Sequence, residues 1–426
     1  MTINEAMNFV HNRRWMGAVS SFPRMQGMLY RMGFSQEKMH FVHVAGTNGK
    51  GSVCALLDSV LRRAGYKTGL FTSPYIHRFS ERIRVDGKCI TDEELCQITE
   101  KLVPIVDSLS SPPTEFEIVT VIGLCHFQNK KCSVVVLETG LGGRLDPTNI
   151  ISSPLCCVIT NIGLDHTAIL GDTIEKIAGE KAGIIKNGVP IVAYPSGSEA
   201  LAVIRKYCAD KDAKLILADF ENLEPIEEDF KGQSFCYRGE TYCLSLLGLY
   251  QQKNAAVALE ALEVLSKTLP KISKKAIRDG LAQASHMARF ELADKNPPFI
   301  IDGGHNAQCA KALCESMSRY FPNQKVITII GMMKDKSAED FVKAISPFTA
   351  HFVCVKPQNP RAMPAEDLAE IAARNGFRAQ TCDTINGAIK SAKSLAMGSQ
   401  IICATGSLYL AGEVRQSLIE ERANIK

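Results

Sequence analysis

The sequence predicts an α/β protein with parallel sheets, and three observations support this fold class. Short β-branched runs alternate with longer helical patterns, as in HFVHVAG before SVCALLDSVLRRAGY and VPIVAY before GSEALAVIRKYCADK. The runs CSVVVLE and CCVITNIG are almost continuously apolar, as in strands that helices cover on both faces. The 426 residues, of which 46% are hydrophobic and 22% charged, are enough for two or three domains. We therefore expect two α/β domains.

The boundary is predicted at the polar, proline-rich stretch ADKNPP, residues 293–298. Beyond it, apolar runs restart with FIIDGG, KVITIIG, HFVCVK and QIICATG, separated by helical patterns. This predicts a large N-terminal domain over residues 1–293 and a smaller, Rossmann-like domain over residues 298–426. The acidic, irregular stretch 219–239 is interpreted as a surface insertion or hairpin region rather than a domain junction.

Composition excludes several classes of protein. The 49 basic and 45 acidic residues leave a net charge of +4 with no basic block, so we expect no nucleic-acid partner. The fifteen cysteines are odd in number and contain no C-x-x-C pair, which indicates reduced thiols rather than disulfides or a zinc site. No signal peptide and no uninterrupted membrane span is recognised. We expect a cytoplasmic protein without a membrane partner.

Two local elements have clear signals. Apolar residues recur at helical spacing from Val53 to Ala64, and Gly65 stands where a glycine ends a helix. The segment Arg82 to Ile90 alternates around Asp86-Gly87, which predicts a two-residue β-hairpin.

A glycine-rich loop provides the first functional signal. Gly46, Thr47, Asn48, Gly49, Lys50, Gly51 and Ser52 follow a predicted strand and open a predicted helix. In this context backbone N–H groups and the helix N-terminus bind phosphate, while Lys50 adds a cation for the β- and γ-phosphates. The alternative is a simple glycine turn, and Gly51 breaks the strict G-x-x-x-x-G-K-[ST] pattern. The loop predicts a nucleoside triphosphate ligand.

Ten motifs follow one another in an order that resembles a known family. They are HVAGTNGKGS, FTSPYIHRFSERIRVDG, PTEFE, VVLETGLGGRLDPTN, TNIGLDHTAILGDTIEKIAGEKAGIIK, GLYQQKNAAVALEAL, ARFE, DGGHN, GMMKDK and ATGSLYLAGEV. The chain resembles the folylpolyglutamate synthase and dihydrofolate synthase group of the Mur ligase superfamily. The resemblance implies a P-loop ATP-binding domain of Mur ligase type, followed by a smaller Rossmann-like glutamate ligase domain.

The implied activity is an ATP-dependent amide ligation that uses Mg²⁺. A folate γ-carboxylate is phosphorylated to an acyl phosphate, which the amine of glutamate then attacks. Whether the protein also joins glutamate to dihydropteroate stays open. The expected ligands are therefore ATP, a folate or dihydropteroate, and glutamate, and a monomer is expected.

Four residues are candidate metal ligands. Glu138 ends an apolar strand, where ligands of α/β sheets gather, although a salt-bridged glutamate is an equal alternative. By resemblance it binds magnesium together with Ser73 and His166, which by themselves read as a turn former and a structural histidine. The resemblance also implies a carbamylated Lys181 as a further oxygen ligand, although a lysine in a helix is ordinarily exposed. Lys50, Lys181 and His166 are the predicted catalytic residues.

A second group is predicted to contact the nucleotide. Gln251 and Asn254 project from one face of a predicted helix, where capping is the alternative. By resemblance Asn254 contacts ATP, as does Arg289, which follows Ala288 where the family usually has glycine. Asp302 and His305 follow a strand of the second domain, and by resemblance Asp302 closes over ATP; the alternative for Asp302 is a helix cap.

The folate substrate is assigned, by resemblance, to two segments. These are Thr114, Glu115, Phe116 and Glu117, and the turn Leu145, Asp146 and Pro147. A stacking role for Phe116 and a hydrogen-bonding role for Asp146 compete with core packing and turn formation.

The chain departs from the family pattern at Tyr75, Tyr250 and Pro147. None of these removes a predicted metal ligand or the loop lysine. A P-loop kinase or GTPase would explain the glycine loop but not DGGHN, and no N-K-x-D motif is present. A non-catalytic nucleotide-binding regulator is the second alternative; retention of Lys50, Glu138, His166 and Lys181 argues against it.

Overall fold

The computed structural model describes residues 1–12, 21–396 and 400–425, and the chain divides into two compact units. The N-terminal unit comprises Met1–Leu223, Tyr237–Tyr242 and Asn254–Ala284. The C-terminal unit comprises Glu224–Cys236, Cys243–Lys253 and Ser285–Lys426. In this division residues 285–293 belong to the C-terminal unit, whereas the sequence places the boundary at residues 293–298.

The N-terminal unit is built on a sheet of eight described strands. They are β1 His40–Ala45, β2 Thr68–Phe71, β3 Ile83–Val85, β4 Lys88–Cys89, β5 Val134–Glu138, β6 Cys156–Ile159, β7 Ile191–Ala193 and β8 Leu215–Leu217. Their order is β4-β3-β2-β5-β1-β6-β7-β8. All pairs are parallel except β2 with β3 and β3 with β4. This confirms the predicted α/β class.

Helices accompany this sheet as the alternating pattern predicts. They are α1 Ile3–His11, α2 Phe22–Arg31, α3 Lys50–Arg63, α4 Asp92–Asp107, α5 Glu115–Asn129, α6 Thr167–Leu170, α7 Ile174–Ala182, α8 Ser198–Asp210 and α10 Lys274–Leu281. Helix α9, Tyr250–Ser266, contains the division between the two units. Short 3₁₀ turns occur at Gln36–Lys38, Phe79–Arg82, Pro147–Ile150 and Phe220–Asn222.

The central strand β1 explains where the site forms. It lies between β5 and β6, with Val44 opposite Glu138 and Ala45 opposite Ile159. Strand β2 continues the alignment, with Phe71 opposite Leu137. Because these strands are parallel, the segments after β2, β5, β1 and β6 all begin at one edge of the sheet.

Both local predictions are confirmed. Helix α3 ends at Arg63, and Gly65 follows with a φ of 79°, as a left-handed C′ glycine does. Asp86 and Gly87, with φ of 51° and 79°, join β3 to β4 in the tight hairpin that the sequence predicts.

The stretch predicted as an insertion forms a small sheet. Its strands are β9 Leu223–Asp229, β10 Gly232–Tyr237 and β11 Glu240–Leu244, in the order β11-β10-β9. The hairpin interpretation is therefore right. The expectation that this stretch is not a domain junction is wrong, because the division between the two units passes through it after Leu223 and after Cys236. Alternating burial along β10 shows the period of two that a strand with one covered face has.

The C-terminal unit contains a six-stranded sheet within the described residues. Its strands are β12 Glu291–Lys295, β13 Pro298–Ile301, β14 Val326–Ile330, β15 Thr349–Val355, β16 Ala379–Cys382 and β17 Ile401–Thr405, in the order β12-β13-β17-β14-β15-β16. The helices are α11 Ala307–Tyr320, α12 Ala338–Ile345, α13 Ala365–Arg374, α14 Ile385–Leu395 and α15 Leu408–Ile425.

Strand β12 pairs antiparallel with β13, and the other pairs are parallel. The proline-rich stretch 293–298 therefore lies in a β-hairpin inside this unit: it ends β12, makes the turn at residues 296 and 297, and begins β13. Across residues 1–12, 21–396 and 400–425, no helix combines the length and apolarity needed to cross a bilayer.

Candidate active site

The glycine loop joins β1 to α3, as its sequence predicts. Gly46 has a φ of 151°, and a Cβ added there would lie 1.8 Å from Oγ1 of Thr160. Gly49 has a φ of 89°, and its Cβ would lie 2.5 Å from Oδ1 of Asn254. Both positions therefore require glycine for conformation and for space.

The segment after β6 holds the first half of this loop. The N–H groups of Thr47 and Asn48 donate to the carbonyl of Asn161 at 2.7 and 3.4 Å, and Oγ1 of Thr160 donates to the carbonyl of Asn48 at 2.8 Å. The hydroxyl of Thr47 also donates to the carbonyl of Gly163 at 3.0 Å. These two N–H groups shape the loop, so phosphate is better served by the N-terminus of α3, where Gly49 provides no side-chain cap.

Two lysines converge on the loop backbone. Nζ of Lys50 donates to the carbonyls of Gly46 and Thr47 at 3.1 and 3.2 Å. Nζ of Lys181, on α7, donates to the same carbonyl of Gly46 at 2.8 Å. Lys181 is only 4% exposed, so the ordinary expectation of an exposed helical lysine is wrong here. Burial, followed by the positive charge of Lys50, lowers the pKa of Lys181 to about 7.

Glu138 and Ser73 meet where β5 and β2 end. The N–H of Ser73 donates to Oε2 of Glu138 at 3.0 Å, and Glu138 is 4% exposed. The adjacent pairing of β2 and β5 brings together two residues that are 65 positions apart in the chain. The structure thus places a buried carboxylate at the predicted strand edge.

His166 follows β6 by seven residues and adopts a left-handed φ of 50°. Its side chain is 37% exposed, and its Nε2 lies 3.9 Å from Oδ1 of Asp165. That separation is longer than a hydrogen bond, whereas the backbone N–H of His166 donates to the same oxygen at 2.8 Å. Asp165 therefore holds the backbone at His166, with its carboxylate near the ring.

The donor set suits magnesium better than a transition metal. Within the described chain, no group of three or more His, Cys, Asp or Glu side chains is arranged to hold a metal ion. One buried carboxylate, that of Glu138, stands beside Ser73, and magnesium in nucleotide sites ordinarily takes one or two carboxylates while phosphates and water complete its shell. Lys181 as an amine donates hydrogen bonds and is not an oxygen ligand.

The predicted nucleotide residues occupy several elements. Gln251 and Asn254 lie in the first turns of α9 and are buried, with Asn254 against Gly49 of the loop. In the C-terminal unit, Asp302 follows β13 and is 4% exposed. Asn306 rather than Asp302 caps the helix α11, so the capping alternative for Asp302 is wrong. Nδ1 of His305 lies 3.2 Å from the carbonyl of Gly303.

Comparison with known proteins decides the family. Residues 44–262 match the Mur ligase middle domain, and residues 288–408 match the Mur ligase glutamate ligase domain. The dihydrofolate synthase/folylpolyglutamate synthase of Bacillus subtilis is 38% identical over 432 residues, covering 97% of this chain and 98% of the relative. The folylpolyglutamate synthase of Lacticaseibacillus casei is 33% identical over 438 residues, covering 98% and 99%.

The chain belongs to the folylpolyglutamate synthase and dihydrofolate synthase family.

Solved structures of this family show the same fold. The E. coli FolC structure in complex with DHPP and ADP has a TM-score of 0.87 at 29% identity and covers 99% of each chain. The folylpolyglutamate synthase of Mycobacterium tuberculosis complexed with ADP and AMPPCP has a TM-score of 0.89 at 28% identity and covers 98% of each chain.

The first predicted folate segment of this family member has clear structural roles. Thr114 caps α5, and Glu117 completes the capping box. The side chain of Glu117 is fully buried and accepts from Nη2 of Arg24 at 2.6 and 2.8 Å and from the N–H of Ser21 at 3.0 Å. Sequence reasoning missed Arg24, because 93 residues separate it from Glu117.

The neighbouring residues of this segment differ in their surroundings. Oε1 of Glu115 lies 3.2 Å from Nδ1 of His11. The ring of Phe116 lies against Gly140, where an added Cβ would come within 2.6 Å of it, and 5.9 Å from the ring of Phe71. Part of the Phe116 ring is therefore packed against neighbouring residues, as the core-packing alternative predicts.

The second predicted folate segment is organised by Asp146. This residue is 3% exposed, and its carboxylate accepts from the N–H groups of Gly140, Leu141 and Thr148 and from the Thr148 hydroxyl at 2.6–3.0 Å. Turn formation thus explains Asp146. Leu145 is 41% exposed and Pro147 is buried.

Sequence reasoning also missed Thr160, Asn161 and Gly163 as supports of the glycine loop at residues 46–49, the proposed phosphate loop. A signal was present, since they open the TNIGLDH motif directly after an apolar strand. Their contact with the loop could not be predicted from sequence spacing, because 112 residues separate Thr160 from its partner Asn48.

Proposed function

We propose that this protein is an ATP-dependent amide ligase that adds glutamate to the γ-carboxylate of tetrahydrofolate. The observation that carries the proposal is the convergence of Lys50 and Lys181 at one carbonyl of the glycine loop, in a chain whose match covers 98% of the Bacillus subtilis relative. Family membership favours this function over a P-loop kinase or a non-catalytic regulator.

The reaction has two balanced steps. A γ-carboxylate oxygen of folate attacks the γ-phosphorus of ATP, and ADP leaves as the acyl phosphate forms. The amine of glutamate then attacks the acyl carbon, and phosphate and a proton leave. Both steps need positioning and charge neutralisation rather than a protein nucleophile.

The N-terminal unit supplies the phosphate chemistry in this proposal. Gly46, Thr47, Asn48 and Gly49 form the loop, and Gly51 and Ser52 lie in the first turn of α3. Lys50 neutralises the β- and γ-phosphate oxygens. The uncapped N-terminus of α3 adds the positive end of a helix dipole. We propose that five further residues contact the nucleotide: Gln251, Asn254, Arg289, Asp302 and His305.

Glu138, Ser73 and His166 are proposed to hold magnesium, with Glu138 as the carboxylate ligand. When bound, the ion neutralises phosphate charge during transfer. The chain contributes by fixing Glu138 through the Ser73 N–H, since a carboxylate oriented in advance pays less entropy on binding.

We propose that Lys181 is carbamylated. A pKa of about 7 leaves a large neutral fraction of the amine near neutral pH, and only the neutral amine attacks CO₂. The N–C bond forms, an electron pair moves to oxygen and the nitrogen releases one proton. The product is a carboxylate that can supply oxygen ligands.

The carbamate has a direct test. Protein equilibrated with ¹³C-bicarbonate should show a carbamate signal by NMR that the Lys181→Met variant lacks. Lys176→Met is the matched control, because Lys176 lies on the same helix but is exposed and paired with Asp172. A signal that persists in Lys181→Met would refute the assignment.

The two predicted folate segments differ in the surface that they expose. Leu145 is exposed and Phe116 half-buried, so both have surface to offer a flat ring. The other five residues are proposed to act by shaping these segments: Thr114, Glu115, Glu117, Asp146 and Pro147.

One assay tests the function and separates its two forms. The purified protein is given ATP, Mg²⁺ and glutamate, with tetrahydrofolate or dihydropteroate offered separately, while phosphate release and the product mass are measured. Release with tetrahydrofolate supports polyglutamylation, and release with dihydropteroate adds dihydrofolate synthesis. Release with neither would exclude the ligase.

The names of the relatives do not decide between polyglutamylation alone and polyglutamylation together with dihydrofolate synthesis. The Bacillus subtilis relative carries both names, whereas the Lacticaseibacillus casei relative is called folylpolyglutamate synthase. We further propose a cytoplasmic monomer, which light scattering of the purified protein and fractionation of cells would test.

A further inference from the structure

Arg289 stands on an unusual stretch of backbone in the C-terminal unit. Its neighbours Ala288 and Phe290 both have left-handed φ angles, 55° and 48°. Such angles are unfavourable for residues other than glycine and persist only where the surroundings enforce them. The conformation around Arg289 must therefore be held by specific contacts.

Those contacts come from the peptide groups on either side. The N–H of Ala288 donates to Oε2 of Glu291 at 2.8 Å, and the carbonyl of Ala288 accepts from the N–H of Gly303 at 2.8 Å. On the other side, the N–H of Phe290 donates to Oδ2 of Asp302 at 3.0 Å. Asp302 thus restrains the peptide that follows Arg289.

Tyr250 holds Asp302 in turn. Its hydroxyl donates to Oδ2 of Asp302 at 2.9 Å, the same oxygen that accepts from Phe290, while Oδ1 accepts from the N–H of Gly304 at 2.8 Å. Burial and the negative charge of Asp302 raise the pKa of Tyr250 well above its usual range, so the phenol remains a donor.

Packing keeps the tyrosine at this position. Gly248 has a φ of 92°, and a Cβ there would lie 3.0 Å from Cε1 of Tyr250 and 3.2 Å from Cβ of Phe290. The absence of a side chain at Gly248 therefore leaves the space in which the Tyr250 ring and Cβ of Phe290 pack against this glycine. The Phe290 ring lies 5.0 Å from the ring of Tyr320.

We propose that Tyr250 is a positioning residue for nucleotide binding: its hydroxyl orients Asp302, which fixes the Phe290 peptide and thereby presents Arg289 to the nucleotide. The inference rests on the proposed nucleotide contact of Arg289. Tyr250 itself touches neither nucleotide nor substrate in this proposal.

The test measures ADP binding by calorimetry with the full-length protein, so that it does not depend on ligase turnover. Tyr250→Phe removes the hydroxyl and keeps the ring, and ADP binding should weaken by about tenfold, the effect of one lost hydrogen bond to a charged group. In the ligase assay, KM for ATP should rise with kcat almost unchanged. Tyr320→Phe is the control, because it removes a hydroxyl from the same aromatic cluster and leaves the described hydrogen bonds of Asp302 intact.

A double-mutant cycle with Asp302→Asn separates positioning from general packing. If Tyr250 acts through Asp302, the double variant should bind ADP as Asp302→Asn alone does. Unchanged ADP binding in Tyr250→Phe, or additive effects in the cycle, would overturn the proposal. If Tyr250→Phe does not fold, as circular dichroism would show, Asp302→Asn alone decides: wild-type ADP affinity in that variant overturns the proposal.

These outcomes also separate the inference from the proposed function. A wild-type protein that binds ADP without releasing phosphate contradicts the ligase and leaves the titration as a valid test of Tyr250. A wild-type protein that does not bind ADP contradicts both.

Discussion

The amines of Lys50 and Lys181 donate to one carbonyl oxygen, that of Gly46, at 3.1 and 2.8 Å. Two cations at one backbone oxygen repel each other, and Lys181 is also buried. The result is a buried lysine whose pKa is lowered to about 7. This arrangement links the phosphate loop to α7.

The first prediction concerns the pH dependence of stability. The folded pKa of Lys181 lies below the unfolded value of 10.5, so the cost of burying it is complete below pH 7 and declines as the pH rises toward 10.5. Lys181→Met removes this cost. In CO₂-free buffer, the stability advantage of Lys181→Met over wild type should therefore be about 2–3 kcal/mol smaller at pH 9 than at pH 6.5.

Thermal or urea unfolding at the two pH values measures this difference. Lys176→Met is the control, because Lys176 is exposed and its pKa is raised by Asp172, so its charge is constant over this range. Parallel stability curves for wild type and Lys181→Met would contradict the lowered pKa.

The second prediction concerns Gly49. Alanine at this position adopts an unfavourable φ of 89° and also meets Asn254 at 2.5 Å. Gly65 has a similar φ of 79° but open space around its Cβ. Both variants should lose about 1 kcal/mol from the left-handed conformation. Gly49→Ala alone should also raise KM for ATP, by about tenfold or more, because its Cβ displaces Asn254, a proposed nucleotide contact. Equal KM values in the two variants would show that the Asn254 contact is not important.

The third prediction distinguishes a structural Glu117 from a substrate-binding one. Glu117→Gln leaves the Arg24 guanidinium without its buried counter-charge, which should destabilise the protein by about 3–5 kcal/mol. Glu115→Gln, the same change two residues earlier beside the half-exposed His11, should cost less than about 1 kcal/mol. A Glu117→Gln protein with normal stability but a raised KM for folate would support direct substrate contact instead.

The fourth prediction tests Glu138 as the magnesium ligand. Glu138→Gln keeps an oxygen that can accept from the Ser73 N–H and removes the charge. We expect nearly unchanged thermal stability, activity lower by about 10²-fold or more, and a higher Mg²⁺ concentration for half-maximal activity. Glu339→Gln, at an exposed i,i+4 pair with Lys343, should behave as wild type. An unchanged Mg²⁺ requirement in Glu138→Gln would remove Glu138 from the metal site.

Local signals predicted much of the fold. Gly65 and the pair Asp86-Gly87 have the backbone angles that their positions in the sequence indicate, because such angles depend on neighbouring residues alone. The phosphate loop also lies where its glycines predict. In contrast, ADKNPP reads as a linker but forms a hairpin turn, since proline-rich polar stretches suit either role and only the pairing of β12 with β13 decides.

Side-chain roles within the candidate site were harder to predict. Asp146 and Glu117 are polar residues in a motif, which suggests contact with substrate. In the structure, the Asp146 carboxylate accepts hydrogen bonds from the N–H groups of Gly140 and Leu141. The Glu117 carboxylate pairs with Arg24. A buried carboxylate must find donors, and its donors are chosen by packing rather than by spacing along the chain.

The sequence by itself determined the alternation of strands and helices, the glycines of the phosphate loop and the strand that ends in Glu138. Only the tertiary structure decided that Lys181 is buried and bonded to Gly46, a residue 135 positions away. The physical reason is that a glycine turn or an apolar strand follows from local conformational and hydrophobic preferences, whereas the pKa of a lysine follows from the solvent and charges that folding places around it.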